Sequence, residues 1–270
     1  MCYSETYRAV FSDIDGTLLT SQKNVSPDTV NAILKLSRKD ILFTLSSARS
    51  PADIETVIRQ YGFSCCIVAF SGALILDEKR KVLFEKGIAL KDADSIIRHL
   101  EDFCPDIVWN IFTAEKWLVK NRSNSFIKNE ENTVKTFSQE GKLCELSPDT
   151  SVDKILCMGS PEHILKTEQD LKKAFPHFSI ARSSDILLEI MAPEVNKAAA
   201  VAYLCMQKKI PLKQTVAFGD NYNDFEMLNT VGQGILMGNA PDELKKQFSH
   251  ITLDNDHNGI PHALKKLNLI

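Results

Sequence analysis

The chain has 270 residues, enough for one large domain or two ordinary ones around a sizeable core. Its 44% hydrophobic and 25% charged residues and its net charge of -3 describe an ordinary globular protein and give no reason to expect nucleic acid or an anionic membrane as partner. No run approaches the roughly 18 uncharged apolar residues of a membrane span, and Met1 to Tyr7 carry Glu5 and no long apolar stretch, so neither a membrane helix nor a signal peptide is expected. The seven cysteines, Cys2, Cys65, Cys66, Cys104, Cys144, Cys157 and Cys205, are scattered without C-x-x-C pairs and read as free structural thiols in a reducing cytoplasm.

An apolar run from Tyr7 to Phe11 predicts a buried strand. Ser26-Pro27 opens a helix, with Ser26 as N-cap, Pro27 at the first helical position, and Val30, Ile33, Leu34 and Leu36 near helical spacing. Ile41 to Leu45 predicts a second strand, the segment Ser46 to Pro51 a second helix start, and Ile67 to Phe70 a third strand. The pattern changes at a hairpin, Leu74–Leu76 and Val82–Phe84, with a charged tip. Next come a helix near Lys91 to Phe103, strands at Ile107–Phe112 and Trp117–Val119, and a polar stretch with a short helix near Asn132 to Ser138. A strand at Lys154–Met158, a helix at Pro161–Phe175 and strands at His177–Ala181 and Ile186–Met191 follow.

Alternation resumes with a helix at Lys197–Lys208, a strand at Thr215–Phe218, a helix at Phe225–Asn229 and a strand at Gly234–Met237. A helix at Pro241–Gln247, a last strand and a helix at Ile260–Leu267 close the chain. The reading is an α/β protein: a Rossmann-like, doubly wound parallel core of residues 1–85 and 190–270, with an inserted α+β domain at 86–189.

Chemistry gathers at the predicted strand ends. The first strand runs into Asp13-Ile14-Asp15-Gly16-Thr17-Leu18-Leu19. Two carboxylates converging there need a cation or a shared proton, and Mg²⁺, bound by one or two carboxylates with waters and phosphate oxygens, suits them. A plain Asp-Gly turn is the bland alternative. Ser47 and Ala48 open a helix whose hydroxyl and free amides can hold a phosphate oxygen, against an ordinary N-cap serine. Lys197 lies in a first helical turn, where a solvated lysine is the plainer reading. Gly219-Asp220-Asn221-Tyr222-Asn223-Asp224 sets acidic and amide groups after a strand, suited to an oxygen-bound metal rather than a simple turn.

The string Asp13 to Leu19 resembles the Asp-x-Asp-Gly-Thr-Leu-Leu signature of haloacid dehalogenase-like phosphatases, and Asp220 to Asp224 resembles that superfamily's metal-binding segment. Leu236-Met237-Gly238-Asn239-Ala240 resembles its Cof-type branch, as does the large α/β cap implied by the insert. The resemblance implies a Mg²⁺-dependent phosphatase of small phosphorylated metabolites, such as sugar phosphates. In it Asp13 is the nucleophile that becomes an aspartyl-phosphate, and Asp15 is the general acid and base, with its pKa raised for the first role. Lys197 offsets charge; Ile14, Ser47, Ala48, Lys197 and Asn223 contact phosphate or substrate; Asp13, Asp15, Asp220 and Asp224 form the metal site. Ala48, Glu194 and Ala198 stand where the family usually has glycine.

A phosphomutase or phosphotransferase of the same superfamily, a signalling receiver and a non-catalytic sensor of phosphorylated ligands are the rival readings. Within the insert, Trp109, Trp117, Arg122 and Arg182 are available for leaving-group contacts, against cap core for the aromatics and surface for the arginines. The sequence fixes no oligomeric state.

Overall fold

The computed structural model describes residues 7–113, 116–134, 136–148 and 150–270. Chain contacts divide it into two compact units, Met1–Leu83 with Lys197–Ile270, and Phe84–Asn196. The first unit opens with the fully buried strand β1 (Ala9–Ser12). Helix α1 (Pro27–Arg38) starts at Ser26, whose side chain accepts the Thr29 N–H, and buries Thr29, Ala32, Ile33 and Leu36. Leu34, expected on that stripe, is exposed. Next are β2 (Leu42–Ser46), α2 (Pro51–Tyr61) capped by Ser50, and β3 (Cys66–Ala69). The strands β4 (Leu74–Leu76) and β5 (Val82–Glu85) form the charged-tip hairpin.

The second unit carries β6 (Ile88–Ala89), α3 (Leu90–Phe103), β7 (Val108–Phe112), β8 (Trp117–Val119) and α4 (Ser125–Val134). It continues through β9 (Gln139–Glu140), β10 (Ser151–Val152), β11 (Lys154–Met158), α5 (Pro161–Ala174), β12 (Ser179–Ser184) and β13 (Leu187–Met191). Its six-stranded sheet has the order β12-β13-β11-β7-β8-β9, antiparallel except at β8–β9, and β10 pairs with β6. Helix α3 buries Ala93, Ile96, Ile97 and Leu100, and α5 buries Ile164, Thr167 and Leu171, the apolar stripes expected of helices laid on a sheet.

The first unit resumes with α6 (Lys197–Lys208), β14 (Thr215–Gly219), α7 (Phe225–Thr230), β15 (Gln233–Leu236), α8 (Asp242–Lys245) and α9 (Gly259–Lys266). Its seven-stranded sheet has the order β15-β14-β1-β2-β3-β4-β5. Strands β15, β14, β1, β2 and β3 are parallel and β4 runs against β3. These parallel strands are buried for most of their length, as strands covered on both faces must be. The core is therefore the Rossmann-like α/β sheet that the alternation predicted. Among the described residues no helix is long and apolar enough to cross a membrane.

Two expectations need correction. The helix expected near Asn132 to Ser138 instead runs Ser125–Val134, and Lys135 lies outside the described residues. The Asn124 side chain, accepting the Phe126 N–H, starts it earlier, and Ile127 is its only buried apolar residue, too weak a pattern to read. The last strand reduces to a single bridge, Ile251 to Leu236. The described cysteines are free, four buried, Cys104 partly buried and Cys144 exposed; Cys2 lies outside the described residues.

Asp153, between β10 and β11, is buried, and its Oδ2 meets no hydrogen-bond donor among the described residues. Burial, and then the charge of Glu85, push its pKa up to about 7. The native chain thus keeps a proton that the unfolded chain loses near pH 4, and stability falls as pH rises from about 4 to 7. Asp153→Asn should remove that part of the pH dependence and raise the melting temperature at pH 8 by roughly 3 °C or more. Thermal melts of both proteins between pH 5 and 8 check this; parallel curves would contradict it.

Candidate active site

Sheet order locates the site. From β1 the chain winds outward through β2 and β3 on one side, and later through β14 and β15 on the other. The crevice at such a reversal opens at the carboxyl ends of the two central strands. Asp13 follows β1 and Asp220 follows β14, and the Asp13 N–H donates to the Phe218 carbonyl at 3.0 Å, which stitches the two ends together. Gly16, with φ +78°, turns the chain away, and a Cβ there would lie 2.3 Å from Asp220 Oδ2.

Lys197 sits at the centre, 1% exposed. Its Nζ donates to Asp13 Oδ1 at 2.6 Å and to Asp224 Oδ1 at 2.6 Å. The other oxygen of Asp224 accepts the N–H groups of Asp220 at 3.0 Å and Asn221 at 3.1 Å, so its loop is closed on its own carboxylate. Asp220 Oδ1 accepts from Thr17 Oγ1 at 2.7 Å. Oxygens of Asp13, Asp220 and Asp224, all buried, lie within 4.8 Å of one another.

The charges do not balance. Three carboxylates facing one ammonium leave an excess of two negative charges if all are ionised. Burial pushes Asp13 well above the usual carboxylate range, and Asp224 and Asp220 act the same way against the pull of Lys197. Burial, then Asp224, push Asp220 up to about 7 against the Thr17 hydroxyl and Lys197. Burial disfavours the charged form of Lys197, but Asp13 and Asp224 outweigh it and hold the ammonium charged. A divalent cation would restore neutrality, and an all-oxygen donor set suits a hard ion such as Mg²⁺. The three carboxylates therefore fit that ion.

Asp15 departs from expectation on two counts. Its carboxylate stands apart from the three-carboxylate group and is gripped by Arg49, Nε to Oδ2 at 2.7 Å and a terminal nitrogen to Oδ1 at 2.8 Å. Lys23 Nζ adds a contact to Oδ1 at 3.2 Å. Burial works against the charge on Asp15, but the hydrogen bonds and charge of Arg49, with Lys23, prevail and its pKa is lowered. The expected upward shift is thus reversed by a bidentate ion pair, and the expected place of its carboxylate among the metal ligands is taken by this fork.

The other expected residues lie on loops at the same sheet edge. Ser47 is buried, its N–H donates to Val68 O at 2.9 Å, and its Oγ accepts the Arg49 N–H at 3.3 Å. Ala48 follows it, partly buried. Ile14 is fully buried and its carbonyl accepts the Leu19 N–H at 2.9 Å. Asn223 lies partly buried in the Tyr222–Asp224 turn. Glu194, at a usual glycine position, has φ +65°, the left-handed conformation that favours glycine. Among the insert's residues, Trp109 Nε1 donates to Glu101 and Trp117 Nε1 to Asn110 Oδ1, while Arg122 pairs with Glu131 and Arg182 with Glu168.

Arg49, Thr17, Lys23 and Asn239 escaped assignment as site residues. Thr17 and Asn239 lie inside the motif strings already quoted, Arg49 lies inside the segment Ser46 to Pro51, and Lys23 carries no sequence signal.

Lys197 should prove a stability residue as well. Lys197→Met leaves Asp13 and Asp224 facing each other in a buried site, which costs about 3–5 kcal/mol and lowers the melting temperature by on the order of 10 °C. Melts in EDTA check this, and added Mg²⁺ should recover part of the loss. An unchanged melt would contradict the ion-pair account.

A family profile described as haloacid dehalogenase-like hydrolase matches residues 10–264. A Haemophilus influenzae protein provisionally named a phosphatase is 36% identical over 261 residues, covering 96% of this chain and 98% of its own length. An HMP-PP phosphatase of Serratia proteamaculans is 26% identical over 240 residues, 88% of this chain and 86% of its own. The solved structure of a haloacid dehalogenase-like hydrolase from Bacillus subtilis shares the fold, with a TM-score of 0.85 at 24% identity over 96% of this chain and 99% of its own. With the sheet order, the strand-end carboxylates and a match over nearly the whole chain in agreement, the protein belongs to the haloacid dehalogenase-like hydrolase family, as an enzyme of the phosphatase type.

Proposed function

We propose that the chain is a Mg²⁺-dependent phosphatase of small phosphorylated metabolites, such as sugar phosphates, working through an aspartyl-phosphate on Asp13. One observation carries the reading: Asp13 is held by Lys197 at 2.6 Å, inside a buried group of three carboxylates, at the carboxyl end of the central strand. Phosphoryl transfer asks mainly for positioning and for compensation of charge. Lys197 supports Asp13 in both respects, because its ammonium offsets the repulsion between the carboxylate and an incoming phosphate.

In the first step an Asp13 oxygen forms a bond to phosphorus as the bond to the leaving oxygen breaks, and that oxygen takes a proton from Asp15. In the second, water bonds to phosphorus, gives its proton to Asp15, and the bond to Asp13 breaks. In this reading Ser47, Ile14, Ala48 and Asn223, which follow β1, β2 and β14 in the chain, would hold the phosphate oxygens. Asp220 and Asp224, with Asp13, would hold Mg²⁺, which when bound neutralises the phosphate and the excess carboxylate charge.

The Arg49 fork suits the second step as it stands, since it favours Asp15 ionised and ready to take a proton. The first step then requires Asp15 to leave Arg49 as it becomes an acid. Residues Phe84–Asn196 form a compact unit of their own, inserted in sequence between the two halves of the first. The relative named for HMP-PP supports a small phosphorylated substrate.

The test is release of phosphate from p-nitrophenyl phosphate, with Mg²⁺ and with EDTA, by the wild type and Asp13→Asn. Activity should require the metal and fall at least a thousandfold in the variant, on the order of 4 kcal/mol of barrier. Unimpaired turnover by Asp13→Asn would overturn the assignment of the nucleophile. Transfer of the phosphoryl group to a sugar hydroxyl in place of water would favour a phosphotransferase.

A further inference from the structure

Asn239, in the turn after β15, joins segments on either side of the acidic group. Its Nδ2 donates to the Gly16 carbonyl at 2.8 Å and reaches Asp220 Oδ2 at 3.4 Å. Its Oδ1 accepts the Asn255 N–H at 3.2 Å, and Asn255 Nδ2 donates to the Leu19 carbonyl at 2.8 Å. The turn is itself fixed, with the Met237 N–H on the Gly219 carbonyl at 2.9 Å and the Gly238 N–H on the Leu253 carbonyl at 3.2 Å. One side-chain amide therefore spans the turn that carries Asp13 and Asp15, the loop that carries Asp220, and the segment ahead of α9.

Two features make this bridge consequential. Thr17 already supplies a donor to Asp220 Oδ1, so Asn239 is the neutral donor facing the second oxygen. Gly16 and Asp220 also approach so closely that no Cβ fits between them, and Asn239 touches both sides of that gap. A small shift of the Gly16 turn would thus change the separation of Asp13 from Asp220.

We propose that Asn239 is a positioning residue of the metal site, holding Asp220 and the Asp13 turn at the separation a bound divalent cation requires. This rests on the reading of Asp13, Asp220 and Asp224 as the Mg²⁺ site. It assigns Asn239 no contact with metal or phosphate. Residues that orient ligands from behind typically cost 10–100-fold in metal affinity when removed. Asn239 is exposed, so its replacement leaves the apolar core intact.

The experiment is titration of Mn²⁺ alone, followed by electron paramagnetic resonance, into the wild type, Asn239→Ala and Asn239→Leu. The leucine variant keeps the side-chain volume and removes both hydrogen-bonding functions. Both variants should bind Mn²⁺ about tenfold more weakly and melt in EDTA close to the wild type. Their turnover should recover at high Mg²⁺, with a shifted apparent Mg²⁺ constant and little change in kcat. Affinity within twofold of the wild type in either folded variant would overturn the proposal. So would a lowered melt in EDTA with unchanged affinity, which would assign Asn239 to loop stability alone. A wild type that binds no Mn²⁺ would overturn the metal reading itself, and the wild-type titration alone reveals that case.

Discussion

A lysine ammonium buried between two carboxylates is costly to build, because each ion gives up several kcal/mol of hydration. Lys197 offsets that cost by contacts of 2.6 Å to both Asp13 and Asp224, and Asp224 spends its remaining oxygen on two backbone N–H groups. Satisfying Lys197 requires β1, the start of α6 and the loop after β14 to meet at one point. Lys197 is also the first residue of the chain's return to the first unit. The excess negative charge that remains makes a divalent cation the natural completion of the group.

Much of the core was legible because its signals are local. Strands β2, β3 and β14 are largely apolar, buried runs, and α1 and α2 announce themselves by a serine cap followed by proline. The helix α6 and the strands β8 and β11 have the bounds that the sequence predicts. Legibility fails where order comes from polar contacts. Helix α4 rests on Asn124 and on Glu131, which accepts from Arg122 and Ser138, and little apolar spacing betrays it. Short strands such as β6, β9 and β10 pair over two residues each, too few for a periodic pattern.

The acidic site was legible in part through residue type and order. Asp13, Asp220 and Asp224 come together because they follow β1 and β14, neighbouring parallel strands whose carboxyl ends open on one crevice, as the alternation of elements implies; Lys197 reaches them from the first residue of α6. Partner choice was not legible. Asp15 lies in the same string as Asp13, yet its carboxylate turns to Arg49 and Lys23, and spacing along one strand says nothing of which cation meets it across the loop. Glu194 shows the converse: a residue that breaks the glycine pattern keeps the left-handed turn that glycine would favour, and the lysine after it still reaches its carboxylates. Side chains that act through others, such as Thr17 on Asp220, become visible only once the loops are packed.

The most direct measurement is identification of the phosphorylated residue during turnover. The protein is quenched in acid with substrate and Mg²⁺ present, reduced with borohydride, digested and analysed by mass spectrometry. Reduction of an acyl phosphate converts its aspartate to homoserine, and the account predicts homoserine at Asp13 alone, absent when EDTA replaces Mg²⁺. Homoserine at Asp15 or Asp220, or steady turnover with unmodified Asp13 under conditions that trap acyl phosphates, would contradict it.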